Sequence, residues 1–152
     1  MTGGQYLGGV GKGTTPAHDI PIPPGYDTAT VFDPFEIYVG PLFDQRKRGV
    51  LKFAFRVDER HVNAAGICHG GMLLTFADSA FGYTAWGGTE DAPSVTASMQ
   101  ANFLAPARLG SLVEVAPQIT RKARDLIFIR GDFMVGGDLV MTAASLWKLL
   151  KR

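Results

Sequence analysis

Residues 49–58 carry apolar Val50, Leu51, Phe53, Phe55 and Val57 with Lys52 and Arg56 between them. That period of two predicts a β-strand. The rule changes over residues 69–86, where Met72, Leu73, Leu74, Phe76, Ala77, Ala80 and Phe81 cover most of a helix's circumference. A helix apolar nearly all round is one buried on most sides. Gly70 and Gly71 stand at its start, and Gly87-Gly88 supply a C-terminal stop. Four strand-like runs follow, over 93–103, 111–120, 126–135 and 139–149. Their breaks carry turn chemistry: Pro106 with Gly110, Arg124-Asp125, and Gly136-Gly137-Asp138. Upstream, residues 34–45 with Phe35, Ile37, Tyr38, Leu42 and Phe43 read as a short amphipathic or irregular segment. The order is strand, one long helix, then a meander of strands. It predicts an α+β fold, an antiparallel sheet wrapped around one long central helix.

Residues 1–30 follow a different rule. Gly3, Gly4, Gly8, Gly9, Gly11 and Gly13 are succeeded by Pro16, Pro21, Pro23 and Pro24. Such a stretch holds neither a helix nor a central strand, so a flexible or draped arm is expected there, with the folded domain over 31–152. Gly11-Lys12-Gly13-Thr14 invites a phosphate-loop reading, which fails: Tyr6 stands where the first glycine belongs, and Gly13 follows the lysine where Ser or Thr is required.

Composition narrows the function. The 152 residues suit one domain. A formal net charge of +1 gives no field that would draw nucleic acid or an anionic membrane. Cys68 is the sole cysteine, so no intramolecular disulfide marks an oxidising compartment. Residues 1–13 lack the apolar centre of a signal peptide, and no apolar run approaches the ~20 residues of a membrane span. A cytoplasmic location is expected. His18, His61 and His69 show no metal-ligand spacing.

The chemistry concentrates in Asn63-Ala64-Ala65-Gly66-Ile67-Cys68-His69-Gly70-Gly71, with Asp78 further along the same helix. The first N–H groups of a helix have no intrahelical partner, and the dipole there favours negative charge. Glycine admits a ligand close to that backbone, so a carbonyl oxygen turning anionic would be well placed. Asp78 lies among Phe76, Ala77, Ala80 and Phe81. A carboxylate buried there suits a base or nucleophile; the alternative is an Asp hydrogen-bonded to a neighbouring strand or lying on an exposed helix stripe. Eight residues of helix separate Gly70 from Asp78, roughly 12 Å along the axis. They cannot reach one carbonyl together. If both are catalytic, Asp78 must face the helix start of a second copy across a two-fold axis. Cys68 beside His69 suggests a thiol nucleophile, but adjacent side chains point apart and no orienting third group is near; a small packed residue is expected.

This run, Asn63-x-x-Gly66-x-x-His69-Gly70-Gly71 with Asp78, resembles the signature of hotdog-fold thioesterases, in the branch of the phenylacetyl-CoA and human acyl-CoA thioesterases. It fixes six positions over sixteen residues, and the resemblance extends over about residues 35–149. It implies an enzyme that hydrolyses acyl-CoA to free acid and CoA with water, without cofactor or metal, as a homodimer or a dimer of dimers (homotetramer). Gly70, backed by Gly71, is then the oxyanion donor, with Asn63 as second donor or water-positioner. Asp78 of the partner attacks the carbonyl or activates water, His69 shapes the site, and Thr96 matches a Ser/Thr position that orients the water. CoA phosphates call for basic residues, and Arg108, Arg121, Lys122 and Arg124 are candidates. Phe81, Phe43, Tyr83 and Met72 are candidate acyl-pocket walls. Two alternatives share the fold. A hydratase or dehydratase needs a further histidine, and none follows His69; a non-catalytic acyl-CoA-binding protein is the other.

Overall fold

A computed structural model describes residues 19–29, 33–47, 49–88 and 93–150. Its elements begin with strand β1 (Asp27–Thr28), helix α1 (Pro34–Val39), β2 (Leu42–Lys47) and β3 (Val50–Arg56). The long helix α2 (Gly70–Gly87) precedes β4 (Ser94–Phe103), β5 (Leu112–Val115), β6 (Gln118–Ala123), β7 (Leu126–Val135) and β8 (Asp138–Leu149). Every pairing is antiparallel, in the order β1-β2-β3-β5-β7-β8-β4. Strand β7 holds β6 along residues 126–130 and β5 along 133–135, so those two short strands lie end to end beside it. The sheet curls round α2, as the pattern of elements predicted.

Two runs differ from expectation, each for a physical reason. Residues 111–120 are not one strand. The ladder stops at Ala116-Pro117, because proline has no N–H to donate. Residues 34–45 hold both a helix and a strand. Asp33 caps α1 by accepting the Glu36 N–H at 2.8 Å, and Pro34 suits the first turn. Strand β2 follows, hidden from the sequence pattern because both of its faces are covered. Leu42 joins the inner core, whereas Phe43 packs on the outer face with Tyr26 and Ala54. That outer cover comes from residues 19–29, which pack onto the sheet and pair β1 with β2. Residues 1–18, including the glycine run and Gly11-Lys12-Gly13-Thr14, lie outside the described residues.

The inner core is a chain of rings. Phe55 meets Phe76 of α2 at 4.7 Å between centroids, Phe76 meets Phe133 at 5.7 Å, and Phe133 meets Phe81 at 5.9 Å. Fully burying each such ring contributes about 1.5–3 kcal/mol. Strand β7 passes beneath Phe81 only because residue 131 is glycine. A Cβ there would lie 2.7 Å from Val115 Cγ2 and 2.9 Å from Phe81 Cε1. Gly131→Ala is therefore expected to destabilise the protein by about 1–3 kcal/mol through overpacking. Thermal unfolding reads this directly, and an unchanged midpoint would mean that β7 can give way.

Candidate active site

The residues ahead of α2 form a tight loop closed by backbone bonds. Val62 and Cys68 bridge, the Asn63 N–H donates to the Ile67 carbonyl at 2.8 Å, and the Gly66 N–H donates to the Asn63 carbonyl at 2.9 Å. Gly66 turns the corner at φ +71°, a conformation that suits glycine. The Asn63 Oδ1 accepts the Ala65 N–H at 2.9 Å. One end of the Asn63 amide thus braces its own loop while the Nδ2 donors stay available. The loop is pinned on its far side, where the Cys68 N–H donates to the Ala107 carbonyl at 2.7 Å and Ile67 bridges Arg108.

His69 caps α2. Its Nδ1 accepts the Gly71 N–H at 2.9 Å, which puts the proton of the neutral ring on Nε2, and the ring itself is exposed. The Gly71 N–H is therefore taken. The Gly70 N–H has no partner among the described residues.

Asp78 is the sole charged residue of α2. It is exposed rather than buried among Phe76, Ala77, Ala80 and Phe81, which is the exposed-stripe alternative that the sequence left open. Those four face the core, while Gly71, Leu74 and Asp78 share an exposed stripe at helical spacing. Thr96 of β4 reaches Asp78, its Oγ1 donating to Oδ1 at 2.6 Å. The structure thus places Asn63, His69 and Gly70 in one group at the helix start and Asp78 with Thr96 in another. About 12 Å of helix separates the halves.

The basic candidates divide the same way. Arg108 stands beside the loop through its bridge to Ile67. Lys122 donates from Nζ to the Gly88 carbonyl, a cation capping the C-terminus of α2. Arg121 shares its strand, and Arg124 occupies the following turn at φ +53°. As for the acyl-wall candidates, Phe81 is fully buried against Phe133 and Gly131, so it lines no surface that a substrate reaches in the single chain. Phe43 belongs to the outer cluster and Met72 to the inner core. Tyr83 does line a cleft of roughly 670 Å³ at the C-terminal end of α2, with Leu51, Phe53, Trp86 and Ile119. The Cys68 thiol is buried, and burial pushes it up to about 12, so it is no thiolate nucleophile at neutral pH. Among the described residues no group of three or more His, Cys, Asp or Glu side chains could hold a metal ion. None of their helices is long and apolar enough to cross a membrane.

Sequence reasoning missed the supports of this site. His61 is buried; its Nδ1 accepts the Asp58 N–H at 3.0 Å, so its Nε2 carries the proton and donates to the Val39 carbonyl at 2.8 Å. Its carbonyl in turn accepts the His69 N–H at 2.7 Å, which ties the capping residue to α1. Arg60 binds Asp58 and the carbonyls of Tyr38 and Gly40. Glu36 is buried between the helices, where the Tyr83 hydroxyl donates to its Oε2 at 2.6 Å; burial raises its carboxyl, against the hydrogen bonds from Ser79 and Tyr83. The Asp33-x-x-Glu36 spacing was a visible capping signal, but it pointed to a surface glutamate.

The antiparallel sheet wrapped round one long helix is the hotdog fold, and the relatives of the chain make it a thioester hydrolase. The chain belongs to the Thioesterase superfamily, whose family model matches residues 65–142. It is 31% identical to the Pseudomonas aeruginosa protein PA0474, named as an esterase, over 84% of this chain and 97% of that protein. It is 29% identical to human acyl-coenzyme A thioesterase 13, over 51% of this chain and 55% of that one. Among solved structures it superposes on a point mutant of the phenylacetic acid degradation protein PaaI from Thermus thermophilus with a TM-score of 0.69, at 27% identity, covering 78% of this chain and all of that one.

His61 makes the half-site acid-sensitive. Burial holds its imidazole below the ordinary value of 6.5, against the pull of Asp58 at 3.6 Å. As pH falls the unfolded chain takes this proton first, so the contribution is complete above about 6.5 and is lost progressively below it. Glu36, raised, has the opposite sign and stabilises as pH falls. The two separate by substitution: His61→Gln should flatten the loss of thermal stability between about pH 6.5 and 5. An unchanged slope in that variant would assign the loss to another group.

Proposed function

We propose that the protein hydrolyses acyl-CoA thioesters to free acid and CoA, at sites built from Asp78 and Thr96 of one copy and residues 63–70 of a second. The separation of the two half-sites on one helix carries this reading. A single chain holds both, about 12 Å apart, and antiparallel pairing of two α2 helices brings each against the other's complement. Two surfaces support such pairing. The stripe of Gly71, Leu74 and Asp78 leaves one face of α2 uncovered. Beside it β4 ends the sheet, with a single strand neighbour among the described residues and with Val95 and Phe103 exposed. A long edge strand with exposed apolar residues is a template for a further strand.

In this arrangement the thioester carbonyl points to the Gly70 N–H and the Asn63 amide, which receive the developing oxyanion. Asp78, oriented by the Thr96 hydroxyl, takes a proton from the attacking water. Collapse of the tetrahedral intermediate breaks the C–S bond, and the proton held by Asp78 passes to the departing thiolate. His69 keeps Gly71 engaged and so leaves Gly70 as the free donor. Arg108 flanks the loop, while Arg121, Lys122 and Arg124 sit at the end of α2 that passes the second copy's helix start. Both groups are thereby available to CoA phosphates.

Asp78→Asn should lower thiol release from acyl-CoA by at least ~100-fold while circular dichroism and elution volume stay unchanged. A near-normal rate would remove Asp78 from the mechanism. Sharing has its own test. Gly70→Pro deletes the N–H at a first-turn position whose backbone suits proline, the added Cβ meeting only the exposed Phe103 ring at 3.3 Å. Mixed with Asp78→Ala, each being inactive alone, it should recover about a quarter of wild-type activity, because half the pairs are mixed and each has one intact site. No recovery despite demonstrated subunit exchange would place each site within one chain.

A further inference from the structure

We infer that Trp147 is a positioning residue for the reaction, setting through Gly82 the height at which α2 carries Asp78 above β4; this rests on the thioesterase reading, in which Asp78 activates the water. The strand register brings the parts together. Thr96 of β4 is the ladder partner of Trp147 on β8, so both side chains stand on the inner face. Alternation back from Met99 and Ala101, which pack against the core, would turn Thr96 outward. A bulge at Ala97 reverses it: the register passes from Ser98 opposite Leu146 to Thr96 opposite Trp147, with one residue of β4 left over. The consequence shows at Val95, an apolar residue that the bulge leaves exposed. Strand β4 thus departs from its own pattern where it delivers the Thr96 hydroxyl to Asp78.

Trp147 supplies the other side of that contact. Its ring is buried, and its Nε1 donates to Ser145 Oγ at 2.9 Å, two residues back on the same face, so the indole is held to its own strand. Against it lies Gly82, one helical turn beyond Asp78 and on the same side of α2. A Cβ on Gly82 would sit 3.0 Å from Cη2 and 3.5 Å from Cζ3 of the ring. A bare backbone at 82 therefore lets the helix rest on the indole, and that seat sets the spacing between α2 and the paired strands β4 and β8. Asp78 and Thr96 meet across the same spacing, 2.6 Å from Oγ1 to Oδ1. A methyl at 82 has to lift the helix or tilt the ring by a few tenths of an ångström. Either shift lengthens or misaligns the bond from Thr96, and with it the aim of the carboxylate at the water.

The test measures kcat and KM on hexanoyl- and phenylacetyl-CoA for Gly82→Ala in two backgrounds, wild type and Thr96→Val, with folding and assembly followed by circular dichroism and sedimentation. In wild type the substitution should lower kcat by ~5–10-fold and change KM by less than ~2-fold, on both substrates alike. In Thr96→Val, where the bond is already absent, it should lower kcat by less than ~2-fold further. Adding Trp147→Phe to Gly82→Ala withdraws the ring edge from the new methyl and should raise kcat again by ~3-fold or more. Equal losses in both backgrounds, or a loss that Trp147→Phe deepens, would overturn the inference, since the contact would then support only the fold. An unchanged kcat in folded, assembled Gly82→Ala would overturn it too. Should Gly82→Ala not fold, Trp147→Phe alone decides: a kcat that falls in wild type but not in the Thr96→Val background supports the role, and any other result removes it. A wild type that releases no thiol, or one indifferent to Asp78→Asn, fails the thioesterase reading and this inference with it. Both are distinct from an active, Asp78-dependent enzyme that is indifferent to Gly82.

Discussion

A length governs this molecule. The free N–H of Gly70 and the carboxylate of Asp78 belong to one rigid helix, eight residues and about 12 Å apart, and no side-chain motion brings them to one carbonyl. The fold does not hide the difficulty. The sheet covers α2 where Phe76, Ala77, Ala80 and Phe81 face inward, and it leaves bare the stripe that carries Asp78. A lone charge on an otherwise apolar helix is tolerable on that stripe because water and the Thr96 hydroxyl solvate it. In the proposed dimer, what the single chain leaves exposed is what a second copy uses, and catalysis and self-association are one requirement.

The parts legible in the sequence were those in which one physical demand acted alone. Helix α2 announced itself because a centre wrapped by a sheet must be apolar almost all round and must stop at Gly87-Gly88. Strand β3 alternated because Phe53 and Phe55 face the inner core while Lys52 and Arg56 take the other face, where only the small Ala54 joins the outer cluster. Strand β2 was hidden because Leu42 and Phe43 answer to two different cores. Pro117 was a visible break that the apolar run around it outweighed. The exposure of Asp78 was within reach as well. At 100° per residue Asp78 lies about 100° or more round the helix from Phe76, Ala77 and Ala80, so neighbours in sequence were the wrong guide to its surroundings.

Within the site, the roles of Asn63, Gly70 and Asp78 rested on types and spacing, whereas their supports had no pattern to betray them. His61, Arg60 and Glu36 act through long-range partners: the Val39 carbonyl, the Tyr38 and Gly40 carbonyls, and the Tyr83 hydroxyl. Helix α1 has six residues, too few for a periodic signature, yet it receives bonds from both the active-site loop and α2. Phe81 shows the converse. An aromatic residue close to a catalytic motif looks the same in sequence whether it lines a pocket or fills the core, and here Gly131 and Phe133 claim it.

The chemistry of the helix start is set by subtraction. A helix opens with several unpaired N–H groups, any of which could hold an anion and none of which is selective. Here His69 Nδ1 occupies that of Gly71, and the Met72 N–H turns back to the His69 carbonyl. His69 is fixed in turn by its own N–H to His61, which is anchored to α1. One donor is left, under the ring of Phe103, with the Asn63 Nδ2 as the neighbouring side-chain donor. A buried imidazole behind the site thus anchors the residue whose own ring occupies the Gly71 N–H. In the proposed mechanism that ties a group remote from the reacting atoms to the preorganisation on which oxyanion stabilisation depends.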